Sequence, residues 1–73
     1  MIYTNIKDLF IYIRQQMLAD DVTMTELGNR MNKSQAAVSQ MFRRDNITLE
    51  GLKEVCHALG YDLEVNLIKQ KQD

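Results

Sequence analysis

The 73 residues carry a net charge of −1, are 45% hydrophobic and include no proline, which predicts one small helical domain rather than a disordered chain. A single cysteine excludes an intrachain disulfide and the usual cysteine-rich zinc sites. The apolar clusters fall far short of the ~20 residues that span a bilayer, and the N-terminus lacks a signal-peptide pattern, so we expect a soluble, cytoplasmic protein.

The positive charge is concentrated in the middle of the chain. Residues 30–53 carry a net charge of +3, whereas the segments before and after each carry −2. A local basic patch matters more for contact with phosphate than the total charge does. The distribution favours a nucleic-acid surface near residues 30–53, although a chance fluctuation of a few charges is the alternative.

A first helix is predicted from Thr4 or Asn5, either of which could cap it, to Ala19, because apolar residues recur at helical spacing. Its buried stripe is Ile6, Leu9, Phe10, Ile13 and Met17. Three further apolar residues lie off the stripe, either on the surface or in a partner contact: Ile11, Tyr12 and Leu18.

A second helix is predicted from Met24, with Thr23 as its cap. Thr23 and Glu26 have the spacing of a capping box. Gly28 inside this helix costs about 1 kcal/mol relative to alanine, so it is either tolerated or required because another helix crosses closely. Asn32 suits a left-handed residue at the end of the helix.

A third helix follows a three-residue turn and is capped by Ser34. Val38 and Met41, with the small Ala37 beside them, form its buried side. The outward face carries short or amide side chains and one arginine: Gln35, Ala36, Ser39, Gln40 and Arg43.

A fourth helix is predicted after the loop that contains Ile47, with Thr48 as its cap and Gly60 just past its end. Its buried stripe is Leu49, Leu52, Val55, Cys56 and Leu59. Cys56 and the adjacent His57 cannot face each other on a helix. With no nucleophile and base pair, phosphate loop or metal-ligand spacing in the sequence, we expect no enzyme, no cofactor and no metal site.

The last part of the chain changes from helical to alternating spacing, which predicts a half-buried strand. A lone strand is not stable because its edges are unpaired. It could pair with the short N-terminal stub or, more economically, with the same strand of a second copy about a two-fold axis. The alternating residues are Tyr61, Leu63, Val65 and Leu67, and a polar tail follows from Lys69 to Asp73.

Residues 24–43 resemble the helix-turn-helix of lambda-repressor-like (Xre/Cro-type) DNA-binding proteins. The similarity extends from about Ile6 to Leu59. The matching positions are the capping Thr23, the Leu27-Gly28 pair, the turn residue Asn32 and the recognition-helix opening Ser34-Gln35-Ala36-Ala37-Val38-Ser39.

Three positions depart from the family pattern. Met24 replaces a frequent glutamine that helps to clamp a phosphate, Lys33 replaces an apolar turn residue, and Asn32 replaces glycine. The first departure removes one expected contact with the DNA backbone, and the other two alter the turn without forbidding it.

The resemblance implies an all-α, four-helix DNA-binding domain at residues 1–60, and the alternating pattern after it predicts a dimerising strand and polar tail at residues 61–73. The third helix would enter the major groove, with Gln35 bonding an adenine and either Ala36 or Ala37 packing on a thymine methyl. The expected double-stranded DNA contacts are Thr23, Lys33, Ser34, Gln35, Ala36, Ser39, Gln40, Arg43, Arg44 and Asn46.

The resulting prediction is a homodimeric transcription regulator, most simply a repressor, that binds a palindromic operator. Two alternatives stay open. One is the DNA-binding antitoxin of a toxin–antitoxin pair, which a co-purifying second protein would distinguish. The other is a protein-interaction module that retains the fold without DNA binding, which the absence of salt-dependent DNA affinity would distinguish.

Overall fold

Four helices make up the regular structure of the computed structural model, which describes residues 1–44 and 46–71. The helices are α1 (Ile6–Ala19), α2 (Met24–Met31), α3 (Gln35–Arg43) and α4 (Leu49–Ala58). The predicted all-α, four-helix class is therefore confirmed for this part of the chain. None of the described helices is long and apolar enough to cross a membrane.

Every helix begins after a residue that the sequence suggested as its cap. Asn5, rather than Thr4, caps α1, because its side-chain oxygen accepts a 2.8 Å hydrogen bond from the N–H of Asp8. The hydroxyl oxygens of the other caps each accept a bond of 3.0–3.1 Å from the N–H three residues on. Each bond satisfies one of the backbone donors left open at a helix start. These three caps are Thr23, Ser34 and Thr48.

Left-handed residues follow three of the helices. Asp21, Asn32 and Gly60 have φ values of 57°, 58° and 86°. After each of them the next N–H donates a 2.8 Å bond to a carbonyl five residues earlier, as in a Schellman motif. The left-handed conformation was predicted for Asn32 and is confirmed, and Gly60 lies just past the end of α4 as predicted, whereas Asp21 was not singled out. The donor–acceptor pairs are Val22–Met17, Lys33–Gly28 and Tyr61–Cys56.

One core joins the four helices, and most of the predicted stripes supply it. Leu27, Val38 and Val55 are fully buried at its centre. The rings of Phe10 in α1 and Phe42 in α3 pack with their centroids 4.7 Å apart. The remaining buried members are Ile13, Met17, Val22, Leu52 and Leu59.

The prediction that Leu49 belongs to the buried stripe of α4 is wrong. Its side chain is 62% exposed. At about 100° per residue, Leu49 lies about 60° from Leu52 and about 120° from Val55, so it is at the edge of the buried face, in the first turn of α4. Ile47 in the preceding loop covers this end of the helix instead, since it packs partly buried against the core.

The predicted C-terminal strand is absent from the single chain. Residues 61–71 form no strand in the described structure, and Val65 and Leu67 are 65% and 98% exposed. The physical reason is that a strand needs a partner edge for its backbone hydrogen bonds, and the described N-terminal residues form no strand either. Asp45 in the loop and Gln72 and Asp73 in the polar tail lie outside the described residues.

Candidate nucleic-acid interface

The connection between α2 and α3 consists of the three-residue turn Asn32–Ser34. The left-handed Asn32 reverses the chain, and the N–H of Lys33 donates a 2.8 Å bond to the carbonyl of Gly28. Ser34 then caps α3, because its Oγ accepts a 3.1 Å bond from the N–H of Ala37. The turn is thus held by backbone bonds on one side and by a side-chain cap on the other, which fixes where α3 begins.

Gly28 lies where the start of α3 crosses α2. A Cβ atom at this position would lie 2.8 Å from the carbonyl oxygen of Lys33, 3.4 Å from the carbonyl carbon of Ser34 and 3.5 Å from the nitrogen of Gln35. All three neighbours are backbone atoms, so they cannot rotate away. The close approach predicted at Gly28 is therefore confirmed, and it is made by the turn residues Lys33 and Ser34 and by the first residue of α3.

The α3 helix presents one face to the core and the other to solvent. Val38 is fully buried, and Met41 and Phe42 pack partly buried against the core. These contacts prevent rotation of α3 about its axis and therefore fix which side chains face outward. The outward face carries the exposed Gln35, Ala36, Gln40 and Arg43, with the half-buried Ser39 among them.

A groove of about 370 Å³ runs beside this face, between α1 and α3. From α3 it is lined by Gln35, Ser39 and Arg43, and from α1 by Lys7 and Arg14. Its remaining lining is apolar and comprises Phe10, Ile11, Met24 and Phe42. The predicted base-reading side chains therefore lie next to cations of a different helix.

A second groove, of about 470 Å³, lies on the other side of α3. Lys33, Arg44 and Asn46, all predicted as backbone contacts, line it and are exposed. The rest of its wall comes from Met41, Ile47, Thr48 and Gly51. The two grooves together flank the outward face of α3 with basic residues on both sides.

Comparison with known protein families gives one match. The family model described as Helix-turn-helix (HTH_3) matches residues 13–66, which is more than half of the chain. The chain belongs to this helix-turn-helix family. The family is of the Xre and lambda-repressor-like type, a group of DNA-binding regulators that is generally non-enzymatic. No curated protein and no solved structure matched in the corresponding searches.

The structure of this helix-turn-helix protein brings together most of the predicted site residues. Nine of the ten line a groove or lie on the turn and outward face of α3. Thr23 is the tenth and lies at the start of α2, where its Oγ1 accepts a 3.1 Å bond from the N–H of Glu26. This is one of the two bonds of a capping box. The second would join the carboxylate of Glu26 to the N–H of Thr23, but in the described structure that carboxylate accepts a 3.3 Å bond from Nε of Arg30.

Arg30 belongs to the basic segment 30–53, but its side chain contacts α2 and α4. Besides its ion pair with Glu26, its Nη1 donates a 3.1 Å hydrogen bond to the carbonyl oxygen of Ala58. Ala58 is the last residue of α4, so Arg30 satisfies a carbonyl at the negative end of that helix. Arg30 therefore ties α2 to α4 and contributes little to the charge around α3.

Lys7 and Arg14 were missed by the sequence analysis. They belong to a segment of net charge −2 and were counted there with its four acidic residues. A signal was present, because Lys7, Ile11 and Arg14 follow i, i+4, i+7 spacing and therefore share one side of α1. What the sequence does not contain is the packing of Phe10 on Phe42, which turns that side toward α3.

The cysteine and the histidine, which could act as a nucleophile and a base, both lie on α4. Burial raises the pKa of the Cys56 thiol above its ordinary value, which disfavours the nucleophilic thiolate. Nε2 of His57 lies 3.7 Å from the carboxylate of Asp62, and both side chains are exposed. Neither residue lines the two grooves beside α3.

Proposed function

We propose that this helix-turn-helix protein is a transcriptional repressor that binds a palindromic operator as a homodimer and occludes polymerase. In this proposal residues 1–60 bind DNA, with α3 of each subunit in the major groove. Residues 61–73 comprise a dimerising strand, which pairs through Tyr61, Leu63, Val65 and Leu67, and a polar tail outside the interface. Membership of a family of DNA-binding regulators supports the first half of the proposal.

The observation that carries the proposal is the character of the outward face of α3. An α-helix of about 10–12 Å diameter fits a major groove about 12 Å wide. The exposed side chains of Gln35 and Gln40 can donate and accept hydrogen bonds at base edges, and the methyl of Ala36 can contact a thymine methyl. Short side chains between them let the helix approach the bases closely.

Contacts with the DNA backbone are assigned to the residues around this face. Arg43 could reach a guanine or a phosphate from the end of α3, and Lys33, Arg44 and Asn46 border it on one side. Hydroxyl groups and backbone N–H groups at helix starts also suit phosphate oxygens, which includes Thr23 and Ser34. Phosphate contacts of this kind position the protein, and the base contacts of α3 specify the sequence.

The exposed C-terminal segment supports the homodimer. Val65, Leu67 and Ile68 are apolar and at least 65% exposed. An antiparallel pairing with the same segment of a second copy would satisfy backbone groups and would place Val65 and Leu67 of both copies on one face of the paired strands. A two-fold dimer would also present two copies of α3 to the two halves of a palindrome.

Selection of bound sequences from a random double-stranded DNA pool tests this function. The proposal expects an enriched inverted repeat, with half-sites about one helical turn, or 10 base pairs, apart. It also expects affinity that falls steeply as the salt concentration rises. Absence of any enriched motif and of salt-dependent binding would overturn the proposal and favour a protein-interaction module.

An antitoxin gives a different result in the same experiment. The enriched motif would appear, but operator affinity would depend on a second protein that co-purifies with the chain. A repressor that acts alone binds the selected operator at full affinity as a purified homodimer, so affinity measured with and without the co-purifying fraction separates these two cases.

A further inference from the structure

We propose that Lys7 and Arg14 of α1 form a second phosphate-binding site beside α3. This inference rests on the proposed insertion of α3 into the major groove, and it assigns the contact with one of the two DNA strands that border that groove. The ligand is the sugar–phosphate backbone of the strand on the side where Gln35 and Ser39 lie.

The charges of the groove between α1 and α3 are all positive. Its described lining includes Lys7, Arg14 and Arg43 and no acidic residue. Among the described residues, the ion pairs within 4 Å join Arg30 to Glu26 and His57 to Asp62, so neither Lys7 nor Arg14 belongs to one. Among the described residues, therefore, no carboxylate lines this groove or pairs with Lys7 or Arg14.

Three of the four acidic residues of the same segment have other partners. Asp8 accepts hydrogen bonds at the start of α1 from Thr4 and Asn5, and Asp20 accepts one from Tyr61 at the end of α1. Glu26 pairs with Arg30 on α2. These three carboxylates therefore have partners other than Lys7 and Arg14, and none of them is among the residues that line the groove.

The groove is preformed by the packing of α1 on α3. Phe10 is 3% exposed, and its ring centroid lies 4.7 Å from that of Phe42 with the planes tilted by 34°. Ile13 and Met17 are buried along the same side of α1. The backbone positions of Lys7 and Arg14 relative to α3 are therefore fixed, and only the two side chains have to order on binding.

The spacing of the two cations suits two separate phosphates. They are seven residues apart, which is about two turns or 10 Å along α1. A helix inserted in the major groove has a DNA strand on each side. Lys33 and Arg44 border α3 on one side. On the other side α2 contributes Met24, whose side chain has no charge or amide. The charged side chains of that groove that do not belong to α3 are therefore Lys7 and Arg14 of α1.

The test measures how operator affinity depends on salt in the full chain and in Lys7→Gln and Arg14→Gln. Glutamine has a helix propensity close to those of lysine and arginine, so α1 should remain folded, which thermal unfolding would check. Removal of one phosphate contact should reduce the log–log slope of affinity against salt by about 0.9. The selected operator motif should stay the same, because these residues contact no base.

Two further variants make the test specific. Lys53→Gln is the matched control, since Lys53 is exposed on α4 and lines neither groove, and its slope should equal that of the wild type. Arg14→Lys retains the charge and should restore most of the slope. A merely structural role for Arg14 predicts instead that both of its substitutions alter the unfolding temperature and leave the slope unchanged.

The outcomes separate this inference from the proposed function. If the wild type binds its operator with a salt-dependent affinity and Lys7→Gln and Arg14→Gln have the same slope as the wild type, the α1 site is refuted while the regulator function stands. If the wild type shows no salt-dependent DNA binding, the function and the site are both refuted. A reduced slope in the two variants, with none in Lys53→Gln, supports the site.

Discussion

The hydroxyl of Tyr61 donates a 2.5 Å hydrogen bond to Oδ2 of Asp20, 41 residues earlier in the chain. This bond joins the last residue of the Schellman motif after α4 to the end of α1. Leu63, two residues further on, packs partly buried against the core. The C-terminal segment therefore leaves the domain from a defined point, and every described residue after Leu63 is exposed.

The first prediction concerns the pKa of Tyr61. The hydrogen bond to Asp20 is the largest cause that raises this pKa above its ordinary value of 10.0, followed by desolvation and the charge of Asp20. A raised folded-state pKa means that the contact stabilises the fold below about pH 10 and loses this effect as the pH rises through the folded-state pKa. Asp20→Asn should lower the pKa of Tyr61.

Spectrophotometric titration of tyrosinate measures this change directly. The Asp20→Asn curve should show one tyrosine titrating at lower pH than in the wild type. Asp21→Asn is the matched control, because it removes a carboxylate one residue away that does not bond Tyr61. Superimposable curves for the wild type and Asp20→Asn would show that the bond does not persist in solution.

The second prediction concerns the close crossing at Gly28. Alanine there gains up to about 1 kcal/mol of helix propensity, but its Cβ would lie 2.8 Å from the carbonyl oxygen of Lys33. Overpacking against immobile atoms costs about 1–3 kcal/mol, so Gly28→Ala should lower the free energy of unfolding. Denaturant unfolding measures the effect, with the exposed Asn29→Ala as control. A Gly28→Ala variant as stable as Asn29→Ala would contradict the crossing geometry.

Local features of the fold were predictable because their causes lie within a few residues. The caps at Thr23, Ser34 and Thr48 depend on a side chain and an N–H three positions later. The left-handed turns at Asn32 and Gly60 depend on the residue itself. Short-range chemistry of this kind can be read from a single sequence.

Features that depend on distant packing were not predictable in the same way. Lys7 and Arg14 belong to the groove only because α1 packs on α3, and a sum of charge along the chain cannot contain that contact. Arg30 was counted in the basic segment, but its guanidinium donates a hydrogen bond to the carbonyl of Ala58, 28 residues away. The alternation after Tyr61 indicates a strand, but the partner that a strand requires is not supplied by the described chain.

The third prediction concerns the dimer. The wild type should sediment as a dimer, and Val65→Pro should sediment with half that mass, because proline removes a backbone donor from the inter-chain ladder. Lys69→Pro is the control, since it makes the same change in the polar tail. A Val65→Pro variant that remains dimeric would show that the interface lies outside the C-terminal segment. The exposed Tyr12 and Leu18 of α1 would then be the next candidates.

The fourth prediction concerns the two arginines at the end of α3. Arg43 lines the groove on the α1 side and Arg44 lines the groove on the opposite side. Replacing either with alanine should weaken operator binding, and removing a phosphate contact should flatten the log–log salt dependence by about 0.9. Lys53→Ala is the control. Slopes equal to the wild type in both variants would remove these arginines from the backbone interface.

The fifth prediction concerns base reading by Gln35. It is the first residue of α3 after the Ser34 cap and is exposed beside Ser39 and Arg43. An amide there can bond adenine through two hydrogen bonds, a contact that discriminates by about 1–3 kcal/mol. A symmetric dimer makes the contact twice, so Gln35→Ala should lose affinity for the selected operator while its affinity for random DNA barely changes.

The selected motif provides a second measurement of the same residue. The Gln35→Ala motif should lose its preference at one base pair in each half-site, at two positions related by the two-fold axis and about one helical turn apart. Gln40→Ala, which alters a second amide on the same face, should relax a different base pair. Phosphate contact alone predicts that affinities for operator and random DNA fall together with the motif unchanged. That pattern would exclude Gln35 as a specificity residue and leave Gln40 as the next candidate.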